Sequence, residues 1–165
     1  IIGNRAYSIN EDKRLPFLLL INILGGPTAN SRLNVSVRER NGLSYNIEAN
    51  YTAYNDCGMV AIYFSSDHHN ADLCCELIDK ELQTLRTNAL TTRQIAMIKR
   101  QFLAQMAISM ENNEGYMLGV GRSLLVHGEV DTLEEAYKKI NAVTADQIME
   151  VANEIFTNNS TLIYR

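Results

Sequence analysis

The chain has 165 residues, 46% of them hydrophobic and 21% charged, with a formal net charge of -4. That balance is ordinary for a soluble globular protein with a substantial core, and it excludes disorder and fibrous repeats. A mildly acidic chain without a long Lys/Arg run lacks the electrostatic footprint of a nucleic-acid or anionic-membrane binder.

No linker or low-complexity segment interrupts residues 1–165, which read as a single domain. Ile1 to Tyr7 is a predicted strand, and an apolar helix follows from Asp12 to Leu24. Its longest apolar stretch, Leu15 to Leu24, has about half the length of a bilayer span, so it is read as a buried helix. Gly25-Gly26-Pro27 stops that helix, and a short helix runs from Ser31 to Arg40 with Gly42 at its end. From Ser44 to Tyr54, Tyr45, Ile47, Ala49, Tyr51 and Ala53 alternate with polar residues, the pattern of a half-buried strand. After the turn Asn55-Asp56-Cys57-Gly58, Met59 to Ser65 is apolar on both faces and completes an antiparallel hairpin deep in a sheet.

The remainder is mostly helical. Cys74, Leu77, Ile78, Leu82 and Leu85 line one helical face, and Ile95, Ile98, Phe102 and Met106 line the next. Capping-box patterns mark starts at Thr91, Thr132 and Thr144. A helix from Asn113 to His127 carries three glycines, of which Gly119 and Gly121 are read as places of close helix packing, and a strand from Thr161 to Tyr164 closes the chain. Strands, then many helices, then a returning strand predict an α+β fold: an antiparallel or mixed sheet with helices on one face.

Catalytic machinery is missing. Of three histidines, His68 and His69 are adjacent and His127 is remote, and neither His-x-x-Glu-His nor His-Glu-x-x-His occurs. His68, Asp72, Cys75 and Glu76 could share a helix face as metal ligands, but Asp67 as a helix cap with two exposed histidines in the first turn is the simpler reading. Cys57, Cys74 and Cys75 are read as buried thiols, there is no Gly-x-Ser-x-Gly elbow, and Gly119-Val120-Gly121 fails as a dinucleotide fingerprint. Asn34-Val35-Ser36 and Asn50-Tyr51-Thr52 match the glycosylation triplet but have no secretory context behind them.

One segment carries more than packing information: Leu24-Gly25-Gly26, then Ser31-Arg32-Leu33, then Arg38-Glu39-Arg40-Asn41-Gly42-Leu43-Ser44-Tyr45. With Tyr54-Asn55-Asp56-Cys57-Gly58, Gly121-Arg122-Ser123-Leu124-Leu125 and Asn141-Ala142-Val143-Thr144-Ala145, it resembles, in order and over nearly the whole chain, the inactive domain of the pitrilysin/insulinase family of inverzincin metallopeptidases. The mitochondrial processing peptidase belongs to that family.

The resemblance implies one half of a clamshell, facing a catalytic half that bears His-x-x-Glu-His. The corresponding helix here, Asp12 to Leu24, has no histidine. It implies no catalytic residue and no metal in this chain, zinc in the missing half, and a peptide substrate. Arg38 and Tyr45 are the positions expected to reach the substrate, Arg38 toward peptide carbonyls and Tyr45 toward the oxyanion, with loop contacts from Gly25 and Gly26. The partner implied is a catalytic half, upstream in the same chain or on another subunit, with no nucleic acid and no membrane involved.

Blander readings stand beside these: Tyr45 as a core residue on the apolar strand face, Arg38 in a surface ion pair with Glu39 or Glu48, and Gly25-Gly26 as a helix cap. A purely structural peptidase-like subunit is the alternative function, and a metal-binding module at His68-His69 a third. The chain starts at Ile1 without methionine and is read as a piece of a longer polypeptide, so a targeting segment would lie outside it. The expected compartment is bacterial, either cytoplasm or periplasm.

Overall fold

Four short strands and six α-helices account for most of the chain in the computed structural model, which describes residues 1–164. The strands are β1 (Ile2–Ala6), β2 (Asn46–Ala53), β3 (Gly58–Ser65) and β4 (Ser160–Thr161), and the helices are α1 (Arg14–Gly25), α2 (Ala71–Thr87), α3 (Thr92–Met110), α4 (Asn113–His127), α5 (Leu133–Ala142) and α6 (Ala145–Ile155). A π-helical segment, Asn34–Glu39, precedes β2, and a 3₁₀ turn, His68–Asn70, precedes α2.

The sheet is antiparallel throughout, in the order β2-β3-β1-β4, so the fold is α+β as expected. Pairing sets Ala49 opposite Ile62, and Ile62 opposite Ile2. Since side chains alternate across a strand, Ile47, Ala49, Val60, Ile62 and Ile2 share one face, and all five are buried. Helices α1 and α6 pack on that face and α2 packs on α6. Phe17, Leu20, Leu24, Ile78 and Ile148 are almost wholly enclosed, each worth about 1.5–3 kcal/mol relative to exposure. The opposite face is open: Asn46, Glu48, Asn50 and Thr52 are exposed, and so are Met59 and Tyr63 on β3. β3 is therefore an interior strand, but only one of its two apolar faces is covered.

Two compact units are present. One joins Ile1–Thr91 to the chain from Thr144 onward; the other is Thr92–Val143. In the second, α3 buries Ile98 and half-buries Ile95, Phe102 and Met106, in line with the expected stripe. Helix α4 leaves Met117, Leu118 and Leu125 exposed, and a Cβ on Gly119 or Gly121 would meet nothing within 4 Å. The expectation that these glycines mark close helix packing is not met.

Several boundaries shift for local reasons. Helix α1 begins at Arg14, which puts Pro16 within the first turn, where no backbone donor is lost. The closing strand is shorter and earlier than Thr161 to Tyr164, although Leu162 extends its pairing by exchanging backbone hydrogen bonds with Ile1. Capping boxes form at Thr132 and Thr144, and α3 begins at Thr92. Of the three cysteines only Cys74 is buried. Cys57 lies in the hairpin turn and Cys75 is one step round α2 from the buried stripe, so both are part-exposed. No helix among the described residues is long and apolar enough to cross a membrane.

Candidate functional site

From Leu24 to Tyr45 the chain forms the connection between α1 and β2. Most of its distinctive residues have packing duties. Leu24 and Leu33 are fully buried, and Ser31 accepts a hydrogen bond from Asn34 Nδ2 at 2.9 Å. Arg32 Nη1 meets Glu81 Oε2 at 3.2 Å, tying the connection to α2. Gly25 is buried against β2, where a Cβ would lie 2.5 Å from the Ala49 nitrogen; Gly26, half-buried, would press a Cβ onto the Asn22 carbonyl at the same distance. Both glycines are thus accounted for by the end of α1.

The Arg38–Tyr45 signature behaves differently. Val37 anchors the π-helical segment in the core, and the next three residues are exposed. The segment ends at Gly42, whose φ of 62° is costly for other residues, and its amide donates to Arg38 O at 2.9 Å while Leu43 N donates to Val37 O at 3.1 Å. Glycine is explained there by backbone geometry. Arg38, Glu39 and Tyr45 are not explained by packing at all. Arg38 Nε donates to Glu39 Oε1 at 3.0 Å with both side chains exposed, an ion pair of the kind worth about 0–1 kcal/mol. Of the two carboxylates considered for Arg38, Glu39 is the one it meets.

Tyr45 is 75% exposed, which overturns its reading as a core residue. The strand begins only at Asn46, and it is Ser44 that turns inward. Ser44 Oγ lies within hydrogen-bond reach of Asn46 O and Ser65 O, at 2.7 and 2.9 Å, and Tyr45 N donates to Ser65 O at 3.0 Å. These bonds break the apolar alternation and leave the phenol outside, with its hydroxyl 3.4 Å from Asp67 Oδ1. Asp67 does not use that carboxylate as a cap: neither the 3₁₀ turn nor α2 has a side-chain cap bond. The contact is 22 residues long in sequence, and nothing in local pattern announces it.

The candidate metal ligands at the start of α2 stay apart. His68 and His69 are exposed and lie against each other, ring centroids 3.6 Å apart and planes tilted by 43°. Among the described residues no three His, Cys, Asp or Glu side chains come together as metal ligands, so His68, Asp72, Cys75 and Glu76 do not converge. Burial pushes the Cys74 and Cys75 thiols up, away from the reactive thiolate, and at Cys57 a hydrogen bond with Asp56 has the same direction.

A family profile described as the peptidase M16 inactive domain matches residues 1–102. An uncharacterized zinc protease of Bacillus subtilis, YmxG, is 28% identical over 161 residues, 98% of this chain and 39% of the relative. The beta subunit of the mitochondrial-processing peptidase of Saccharomyces cerevisiae is 24% identical over 130 residues, 78% of this chain and 28% of the subunit. A solved peptidase M16 inactive domain from Pseudomonas fluorescens superposes with a TM-score of 0.76 at 20% identity, covering 93% of this chain and 37% of that one. This chain therefore spans about two fifths of the length of the zinc protease it matches.

Proposed function

The chain belongs to the peptidase M16 inactive-domain family, and from that premise we propose that it is the non-catalytic wall of a peptidase chamber, binding peptide opposite a zinc-bearing half. The observation that carries the reading is the exposure of Arg38 and Tyr45 within a signature where Gly42 serves backbone geometry and Ser44 turns inward. A guanidinium is permanently charged and offers a fork of donors, which suits peptide carbonyls. With Nε engaged by Glu39, the terminal Nη donors are the part left for substrate. A phenol presents a single O–H, suited to a carbonyl oxygen as it gains negative charge.

Strand β2 supports the same reading, because it is an edge of the sheet. An extended peptide added there would be held by main-chain hydrogen bonds, a mode tolerant of many sequences. Zinc, the attacking water and the general base would come from the other half, in the same polypeptide or on a partner subunit.

Reconstitution tests this. Neither this chain nor its zinc-bearing counterpart should cleave a quenched peptide alone, while the mixture should. A mixture that associates but stays silent would turn the chain into a structural peptidase-like subunit.

A further inference from the structure

We propose that Asp67 is a positioning residue for Tyr45, keeping the phenol in one rotamer until a substrate oxygen takes its proton donor. This rests on the reading of Tyr45 as a substrate contact. A tyrosine as exposed as Tyr45 has no packing to select among its χ1 wells, and ordering it costs side-chain entropy. The end of β3 supplies what packing does not.

Ser65 O accepts from Tyr45 N at 3.0 Å and lies 2.9 Å from Ser44 Oγ, fixing the backbone on which the phenol is mounted. Cys74 Sγ, 3.8 Å from Leu43 O, tethers the residue before that pair to α2. Two residues beyond Ser65, Asp67 is itself held: its carbonyl accepts from Asn70 N at 2.9 Å and from Ser66 Oγ at 3.2 Å. Its carboxylate makes no cap bond and lies instead 3.4 Å from the Tyr45 hydroxyl.

The length of that contact suits the role. It exceeds the usual O–H···O range, so it biases the rotamer without trapping the proton. An ionised carboxylate only accepts, so the phenol remains the donor and can turn to a better acceptor.

The test uses Asp67→Ala, which removes the acceptor, and Asp67→Asn, which keeps an oxygen in the same place. In the 165-residue chain, three-bond couplings reporting Tyr45 χ1 should show one rotamer predominating in the parent and in Asp67→Asn, and that predominance lost in Asp67→Ala. In the reconstituted peptidase, Asp67→Ala should lower kcat by up to about threefold, the limit set by spreading one well over three, with KM little changed. Asp67→Asn should restore it, and adding Asp67→Ala to Tyr45→Phe should cost nothing more. Couplings that show no predominant rotamer in the parent, or that are indifferent to Asp67→Ala, overturn the proposal. If the couplings respond but Tyr45→Phe leaves turnover intact, the positioning contact stands and the substrate role of Tyr45 falls.

Discussion

A Cβ added to Gly25 would lie 2.5 Å from the amide nitrogen of Ala49 and 2.7 Å from the Ala49 Cβ. The last turn of α1 therefore rests directly on β2, and the approach is backbone to backbone, with no flexible side chain to give way. Gly25→Ala must push the helix off the sheet that it covers with Phe17, Leu20 and Leu24. The expected cost is about 1–3 kcal/mol, the usual range for overpacking, read as a lowered midpoint in denaturant. An unchanged midpoint would mean that the helix sits farther from the strand.

Gly119 makes the opposite case. It lies inside α4, with nothing within 4 Å of where a Cβ would be and no positive φ. Gly119→Ala should raise helix stability by about 0.5–1 kcal/mol, because alanine gives up less backbone freedom on folding. Amide exchange across residues 113–127 should slow in the variant. Faster exchange there would show that the glycine is needed for a contact.

Arg38 and Tyr45 should separate activity from stability. Both are exposed, so Arg38→Ala and Tyr45→Phe are expected to change the unfolding midpoint little, within about 0.5 kcal/mol. In the reconstituted peptidase, loss of an oxyanion donor at Tyr45 should lower kcat about a hundredfold or more. Variants that unfold easily would return both residues to a structural role, as would full turnover from both.

How far the sequence could be read depended on the range of the interactions. The period-two run Ile47, Ala49, Tyr51 and Ala53 is a local signal and corresponds to the observed strand. The same pattern failed at Tyr45, where the hydroxyl of Ser44 finds carbonyls at Asn46 and Ser65 and draws the smaller residue inward. Periodicity has no means of registering a side chain satisfied by a neighbouring strand. Asp67 misled for a related reason: Asp before a helix favours capping, yet its carboxylate lies beside a tyrosine 22 residues away. The histidine-free first helix and the Gly25-Gly26 stop were legible, while the reason for Gly25, contact with Ala49, required the fold. Exposure of Cys57 and Cys75 escaped notice because cysteine is so often buried that composition alone favours the wrong answer.

High pH should loosen the core through its tyrosines. Tyr51 donates its hydroxyl to Tyr7 O at 2.6 Å and packs edge-on to Phe17, ring centroids 4.9 Å apart. Burial pushes its phenol from 10.0 up to about 12, since a phenolate there would lose part of its water and face the carbonyl oxygen that it now serves. Tyr7, which donates to Glu154, is also raised, chiefly by burial. A phenol raised in the folded state is held in its protonated form more tightly than in the unfolded chain. Its contribution is complete below the unfolded value near pH 10 and is lost as pH climbs toward the folded one. Stability should therefore begin to fall near the ordinary thiol value of 9.0, since burial raises the Cys74 and Cys75 thiols as well, and fall further between pH 10 and 12 as the tyrosines follow. Tyr51→Phe should lower stability near neutrality by about 1 kcal/mol, through loss of the hydrogen bond, and should make the alkaline fall shallower. Denaturant midpoints measured across pH 8 to 12 check this. Parallel curves for parent and variant would mean that Tyr51 ionises in the folded protein as readily as in the unfolded one.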